Sequence, residues 1–412
     1  MAPTSDTDDR NDAVSSNPFT EETTATKKQR LNSSTGTLTS PAPSSSDTSE
    51  DSAHATQLPT LPFEIMVEIL SRLPVNFLMQ LQSVCKSWKS LISDPNFAKK
   101  HFRLSTTRHH LLITYTNPSR EFVLTAYPLS SRFTELTATT ATQLEYPLIN
   151  RNRFDQIVDS CHGILCFALD QRFALLWNPS IRKFTKLPSL DNPKLKGSYT
   201  IYGFGYTHFS DSYKVVAVYC YESDGSYKTQ VKVHTLGTNA WRKIQDFPSG
   251  VPFDDSGKFV GGTINWLASR DSFFSCVIVS LDLEKESYQD LLQPDYGEVV
   301  VLTISLGVLR ECLCILSHSD TFSDVWLMKE YGNKDSWTKL FHVPYMGDLG
   351  SCPYTKVLYV YEDDKILLEC HSGLVVLVVY NARDSTFKTH EIQNNGWMVP
   401  QIYQESLVSP CS

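Results

Sequence analysis

The chain has 412 residues, 41% of them hydrophobic and 20% charged, with a formal net charge of −8. That is enough apolar content for one large domain plus smaller pieces, and the acidic balance argues against nucleic acid or an anionic membrane as partner, since either needs a basic stripe. The opening MAPTSDTDDRND lacks an apolar signal core, the aliphatic run 374–379 is too short to span a bilayer, and the ten dilute cysteines are expected to remain thiols in a soluble, intracellular protein.

Residues 1–57 are rich in Ser, Thr, Asp and Pro and hold one aromatic, Phe19. Such a stretch cannot bury enough apolar surface to offset its ordering entropy, and it reads as a disordered tail. Within it, Lys27-Lys28-Gln29-Arg30 reads either as a nuclear import signal or as a solvated cluster, so nucleus and cytoplasm both stay open.

Residues 58–104 switch to helical periodicity. Pro62 suits a first helical turn and Pro74 breaks the helical run, which predicts a helix from about Phe63 to Leu73. At about 100° per residue from Phe63, the apolar side chains of Ile65, Ile69, Leu73, Met66, Leu70, Phe63 and Val67 cover an arc of about 200°, roughly twice an ordinary core stripe. One neighbour cannot cover such an arc. A second short helix is expected from an Asn76 cap, carrying Phe77, Leu78, Met79 and Leu81. A third places Val84, Cys85, Trp88, Leu91 and Ile92 on one side, and Asp94-Pro95 caps a last turn holding Phe97 and Phe102. A helical block this small does not readily support itself.

From 105 to 412 the period becomes two. An aliphatic strand, a polar turn and an aromatic residue opening the next strand recur six times, closing on Phe133, Phe184, Trp241, Tyr288, Trp337 and Phe387 at spacings of 51, 57, 47, 49 and 50 residues. A period near fifty fits one four-stranded blade of a kelch-type propeller, and the length of this part then predicts six blades. A sandwich, or a ring of five or seven blades, is what the spacing leaves as alternative.

Several stretches resemble a known family. Leu61-Pro62, Glu64-Ile65, Glu68-Ile69-Leu70, Arg72-Leu73-Pro74-Val75, Leu78 and Val84-Cys85-Lys86-Ser87-Trp88 resemble an F-box. Ser160-Cys161-His162-Gly163-Ile164-Leu165-Cys166, Trp177-Asn178-Pro179, Tyr202-Gly203-Phe204-Gly205-Tyr206, Tyr213-Lys214-Val215-Val216, the stretch from Val325 to Gly332 and the closing Ser406-Leu407-Val408-Ser409-Pro410 resemble the F-box-associated region of plant F-box/kelch-repeat proteins. The resemblance implies a multidomain chain: a disordered tail, a small all-α F-box at 58–104 and an all-β, six-bladed β-propeller at 105–412.

It also implies the role of substrate receptor in an SCF-type cullin-RING ubiquitin ligase. The F-box would bind a Skp-type adaptor and, through it, cullin and RING subunits, and the propeller would select an unknown protein substrate for ubiquitination and degradation. The adaptor contacts it implies are Leu61, Pro62, Ile65, Ile69, Leu70, Leu73, Pro74, Leu78, Val84, Cys85 and Trp88, with Leu70 and Trp88 as dominant anchors. Where family members commonly carry Lys or Arg, this chain has Asn76, Gln80 and Gln82, which predicts weaker electrostatic steering toward an acidic adaptor. A ligase-independent scaffold and a carbohydrate- or hormone-binding propeller are the competing readings.

No catalytic centre or cofactor is expected. Cys312 and Cys314 with His318, and Cys161 and His162 with Cys166, lack the second spaced pair of a zinc site and read as buried residues; His162 is expected in a turn, bonded to nearby backbone. Trp177, Trp266 and Trp326 read as wedges between blades rather than as a ligand box. Substrate is expected on loops of one propeller face, with 191–199 and 221–227 as candidates.

Overall fold

A computed structural model describes residues 62–104, 109–116, 122–129, 141–148, 156–169, 171–248, 250–253, 256–269, 276–346, 354–372, 374–390 and 398–411. The tail at 1–57, its basic cluster, Leu61 and Phe133 lie outside them.

Four helices come first: α1 (Phe63–Ser71), α2 (Val75–Leu81), α3 (Lys86–Ile92) and α4 (Pro95–Leu104). Helix α1 ends two residues before the expected Leu73, because a residue preceding proline avoids helical geometry. The chain closes instead with tight turns from the amides of Arg72 and Leu73 to the carbonyls of Ile69 and Leu70. Pro74, not Asn76, occupies the cap position of α2 and accepts from the Leu78 amide at 3.1 Å. The expected cap of α4 is present, with the Asp94 carboxylate accepting from the amides of Asn96 and Phe97, both at 2.9 Å.

The strands form six antiparallel sheets in a ring, the six-bladed propeller. Blade 2 shows the pattern: Gln156–Cys161 nearest the axis, then Ile164–Leu169, Phe173–Asn178 and Lys183–Lys186 outward. The inner strands of neighbouring blades touch all the way round. Blade 1 is closed by a strand from the other end of the sequence, since Met398–Gln404 pairs with His109–Thr116 and becomes its innermost strand. Each of the six blade interfaces holds its own apolar cluster, so the core is a ring of wedges rather than one mass.

Middle strands such as Thr263–Ser269 are covered on both faces, whereas outer strands such as Lys183–Lys186 are mostly exposed. Five of the six recurring aromatics stand at the start of an outer strand: Trp241 just before it, Tyr288 and Trp337 as its first residue, Phe184 and Phe387 as its second. Of these Trp241, Tyr288, Trp337 and Phe387 pack into blade interfaces, and Phe184 stays exposed. Trp177, Trp266 and Trp326 also pack between blades. Gly203 and Gly257 let the inner strands of blades 3 and 4 bridge over Ile264 and Trp266. A Cβ at Gly257 would meet the Trp266 ring at 2.5 Å.

Candidate functional site: a half-covered helical block

The apolar arc of α1 is divided. Leu70 is 2% exposed, Met66 and Val67 are half-buried, and all three belong to the cluster that fills the interface of blades 2 and 3. Val75, Leu78, Ile92, Phe97 and Ala98 from the other helices enter the same cluster, where Val158, Tyr206, Tyr213 and Leu407 are propeller members. On the other side of the arc Ile65 and Ile69, one turn apart, are exposed, and so are Phe63, Phe77 and Val84, the last at 63%. Transfer of such side chains from water is worth about 1.5–3 kcal/mol each when complete, so an uncovered group of five is a standing drive toward association.

The residues expected to touch an adaptor therefore separate. Pro62, Ile65, Ile69, Val84 and Cys85 lie exposed; Leu73, Pro74 and Trp88 are half-buried. Leu70 and Leu78 face the chain's own core, so they support the uncovered face from behind and do not present it. The Trp88 indole is likewise turned inward, donating to the Met66 sulfur at 2.9 Å. Phe63 and Phe77 are also exposed although the F-box resemblance does not name them; the α1 arc places Phe63 beside the covered Leu70 and Val67, so the sequence carries no signal for its exposure. Cys85 stands at the N-cap position of α3 without a side-chain cap bond, and its thiol is pulled below the usual range first by the Ser87 hydroxyl at 3.1 Å and then by the Trp88 backbone.

Polar contacts fix the block in place. Glu68 on α1 takes Arg72 at 2.6 Å and Lys100 of α4 at 2.9 Å, and Lys99 reaches across to Asp211 of blade 3 at 2.5 Å. His101, fully buried, meets the Leu73 carbonyl at 2.8 Å. His162 stands in the first turn of blade 2 at φ 49°, its ring 5.0 Å from Phe102, 4.8 Å from Tyr206 and 5.8 Å from Tyr213. Its Nδ1 pairs with the Tyr213 hydroxyl at 3.0 Å, a side-chain partner where backbone was expected. Burial first, then the charges of His208, Arg103 and Lys99, push this imidazole down to about 4, so it is neutral at ordinary pH.

Around that turn the family-like stretches meet one another. The buried Asn178 amide donates to the carbonyls of Ser406 and Val408 at 3.0 and 2.7 Å, and the Ser406 hydroxyl donates to the His162 carbonyl at 2.7 Å. A side chain at Gly163 would collide with Ser406, its Cβ 2.4 Å from the hydroxyl oxygen, which excludes any larger residue there.

The helical block sits at the turns between first and second strands, at 161–164 and 207–212. In an antiparallel blade the turn between second and third strands and the crossing to the next blade lie at the other end. Segments 191–199 and 221–227 are thus on the face away from the helices. The first is anchored by the Tyr219 hydroxyl on the Pro193 carbonyl at 2.6 Å and by Lys232 on Asn192 at 3.0 Å; Leu195 and Tyr227 are exposed there.

Burial raises the thiols of Cys161 and Cys166 well above their usual range and that of Cys314 to about 12, and lowers His318, bonded to Ser323 at 2.9 Å, to about 4. Among the described residues no three or more His, Cys, Asp or Glu converge as metal ligands.

Residues 58–100 match the F-box domain and residues 122–410 the F-box associated beta propeller domain. An F-box/kelch-repeat protein of Arabidopsis thaliana is 33% identical over 362 residues, 85% of this chain and 96% of its own. The Arabidopsis F-box protein CPR1 is 29% identical over 378 residues, 85% of this chain and 87% of its own. Among solved structures, an oligogalacturonate lyase in complex with manganese aligns over 69% of this chain and 74% of its own at 11% identity, with a TM-score of 0.41.

Proposed function

Since this chain belongs to the F-box proteins that carry an F-box-associated β-propeller, we propose that it is the substrate-recognition subunit of an SCF-type ubiquitin ligase. The observation that carries the reading is the exposed side of the helical block, where among the described residues Phe63, Ile65, Ile69, Phe77 and Val84 stand in solvent. A Skp-type adaptor covers that side, and cullin and RING subunits join through the adaptor. An interface of ordinary size, about 1,600 Å² in total, is dominated by a few well-packed anchors, and the two isoleucines on one side of α1 are suited to that part.

The mechanism is proximity. The chain contributes no reacting group; it holds a target protein on the propeller face away from the helices and so raises the local concentration of its lysines near a conjugating enzyme. The ion pairs and apolar cluster beneath α1 and α4 support a fixed orientation between adaptor and target. Such a receptor works in the nucleus, the cytoplasm or both.

Affinity capture of the tagged chain, probed for adaptor and cullin, tests the reading. Both should be retained by the natural chain and both lost when Ile65 and Ile69 become Asp. Adaptor without cullin would instead make the protein a scaffold outside the ligase.

A further inference from the structure

Segment 291–303 leaves the outer strand Tyr288–Leu291 of blade 4 and crosses the ring face away from the helices to the inner strand Thr303–Leu309 of blade 5. Three aliphatic side chains on it, Leu292, Val300 and Leu302, stand in solvent, Val300 at 73%. On a loosely held loop this would mean little, but the backbone here is tied down. The Trp337 indole donates to the Leu292 carbonyl at 3.0 Å, the Gln293 side-chain Nε2 to the Cys276 carbonyl at 2.7 Å, and the Leu302 backbone amide to the His318 carbonyl at 2.8 Å. Tyr296 stands edge-on to Trp326 at 5.8 Å and bonds Gln293 at 3.1 Å.

Val301 packs into the cluster between blades 4 and 5 while Val300 and Leu302 on either side of it remain outside, the alternation of an extended chain with one face finished and one not. Among the described residues the amides of Val300 and Val301 make no backbone hydrogen bond. The segment itself is acidic, and the cation near it, Lys339 over the Trp326 ring at 5.1 Å, is paired with Asp324 at 2.6 Å. No Lys, Arg or His occurs from 287 to 309, Asp295 and Glu298 are exposed on the segment, and Asp320 is exposed on the turn just after His318.

We infer that this stripe is the docking site for an extended segment of the target protein in which aliphatic side chains alternate with lysine or arginine. The inference rests on the receptor reading and gives it a substrate class. The aliphatic side chains of the target cover Leu292, Val300 and Leu302, and its cations face Asp295, Glu298 and Asp320.

The test is selection of phage-displayed random dodecapeptides on the full-length chain held by its adaptor, with parallel selections on a Leu292→Ser, Val300→Ser, Leu302→Ser variant and on a Phe184→Ser control, an exposed apolar residue on the outer strand of blade 2. The natural chain and the control should enrich aliphatic–basic peptides. The triple variant should bind the winning peptide at least about tenfold more weakly, as expected for loss of central apolar anchors. An Asp295→Asn, Glu298→Gln variant should bind it with a flatter salt dependence. No enrichment, an acidic consensus, or equal affinity for natural chain and triple variant overturns the inference. Adaptor retention, read on the same preparations, separates the two claims: a chain that holds adaptor but selects no such peptide loses only the stripe, whereas a chain that holds no adaptor loses the receptor role.

Discussion

The helical block and the propeller solve the same problem, burial of apolar surface, in opposite ways. The propeller finishes its core by closing on itself: six interfaces carry six clusters, and the last strand returns to the first blade. The block uses half of its apolar arc to hold blades 2 and 3 and leaves the other half open. One region is thus built to be complete and the other to be completed. The difference teaches that burial in the free chain distinguishes residues that maintain a surface from residues that offer it, even when they are neighbours, as Ile69 and Leu70 are.

Removal of residues 398–411 should break this contrast most severely. Blade 1 loses its inner strand and Asn178 its buried carbonyl partners, so circular dichroism melts should show no cooperative transition. Leu70→Ala comes next: a buried cavity at the joint of block and propeller should cost about 2–5 kcal/mol in denaturant titrations. Ile65→Asp with Ile69→Asp is the complementary case. The pair should weaken adaptor binding by about a hundredfold in calorimetry, with the midpoint of unfolding unchanged. Should Leu70→Ala weaken adaptor binding without loss of stability, the division of the arc into an inner and an outer half is incorrect.

The smallest effect should be one of pH. His162 is held near 4 in the folded chain against an ordinary value of 6.5, so the unfolded chain binds the extra proton between them. Its contribution is fully present above about pH 6.5, declines as pH falls toward 4 and is constant below that. In His162→Gln the loss of stability over this window should shrink relative to the natural chain, measured as the difference between the two melting profiles.

Much of the architecture was legible. The Asp94 cap, the over-wide arc of α1 and the aromatic spacing near fifty are local patterns, and local patterns survive in a single sequence. Non-local features did not read out. That Met398–Gln404 belongs with His109–Thr116 depends on ring closure, which leaves no periodic trace. Which half of the α1 arc is covered depends on where the block docks, so Leu70 and Ile69 look alike until the propeller is in place. In the aliphatic run at 299–302 only the fold shows that alternate members, Val300 and Leu302, remain outside. Motifs such as Trp177-Asn178-Pro179 could be recognised but not understood, because the reason for Asn178 lies at Ser406 and Val408.

The strand that closes the ring has a consequence for synthesis. A ribosome releases α1–α4 some three hundred residues before it delivers Leu407 and Val408, a delay of roughly 15–60 s at ordinary elongation rates. Until blades 2 and 3 have followed, the block's inner apolar half is as naked as its outer half, and its cluster stays incomplete until Leu407 and Val408 arrive. A nascent chain therefore offers chaperones a larger greasy target than the finished protein does, and a message cut short by an early stop codon yields a product that keeps the adaptor handle yet never acquires the joint that aims it.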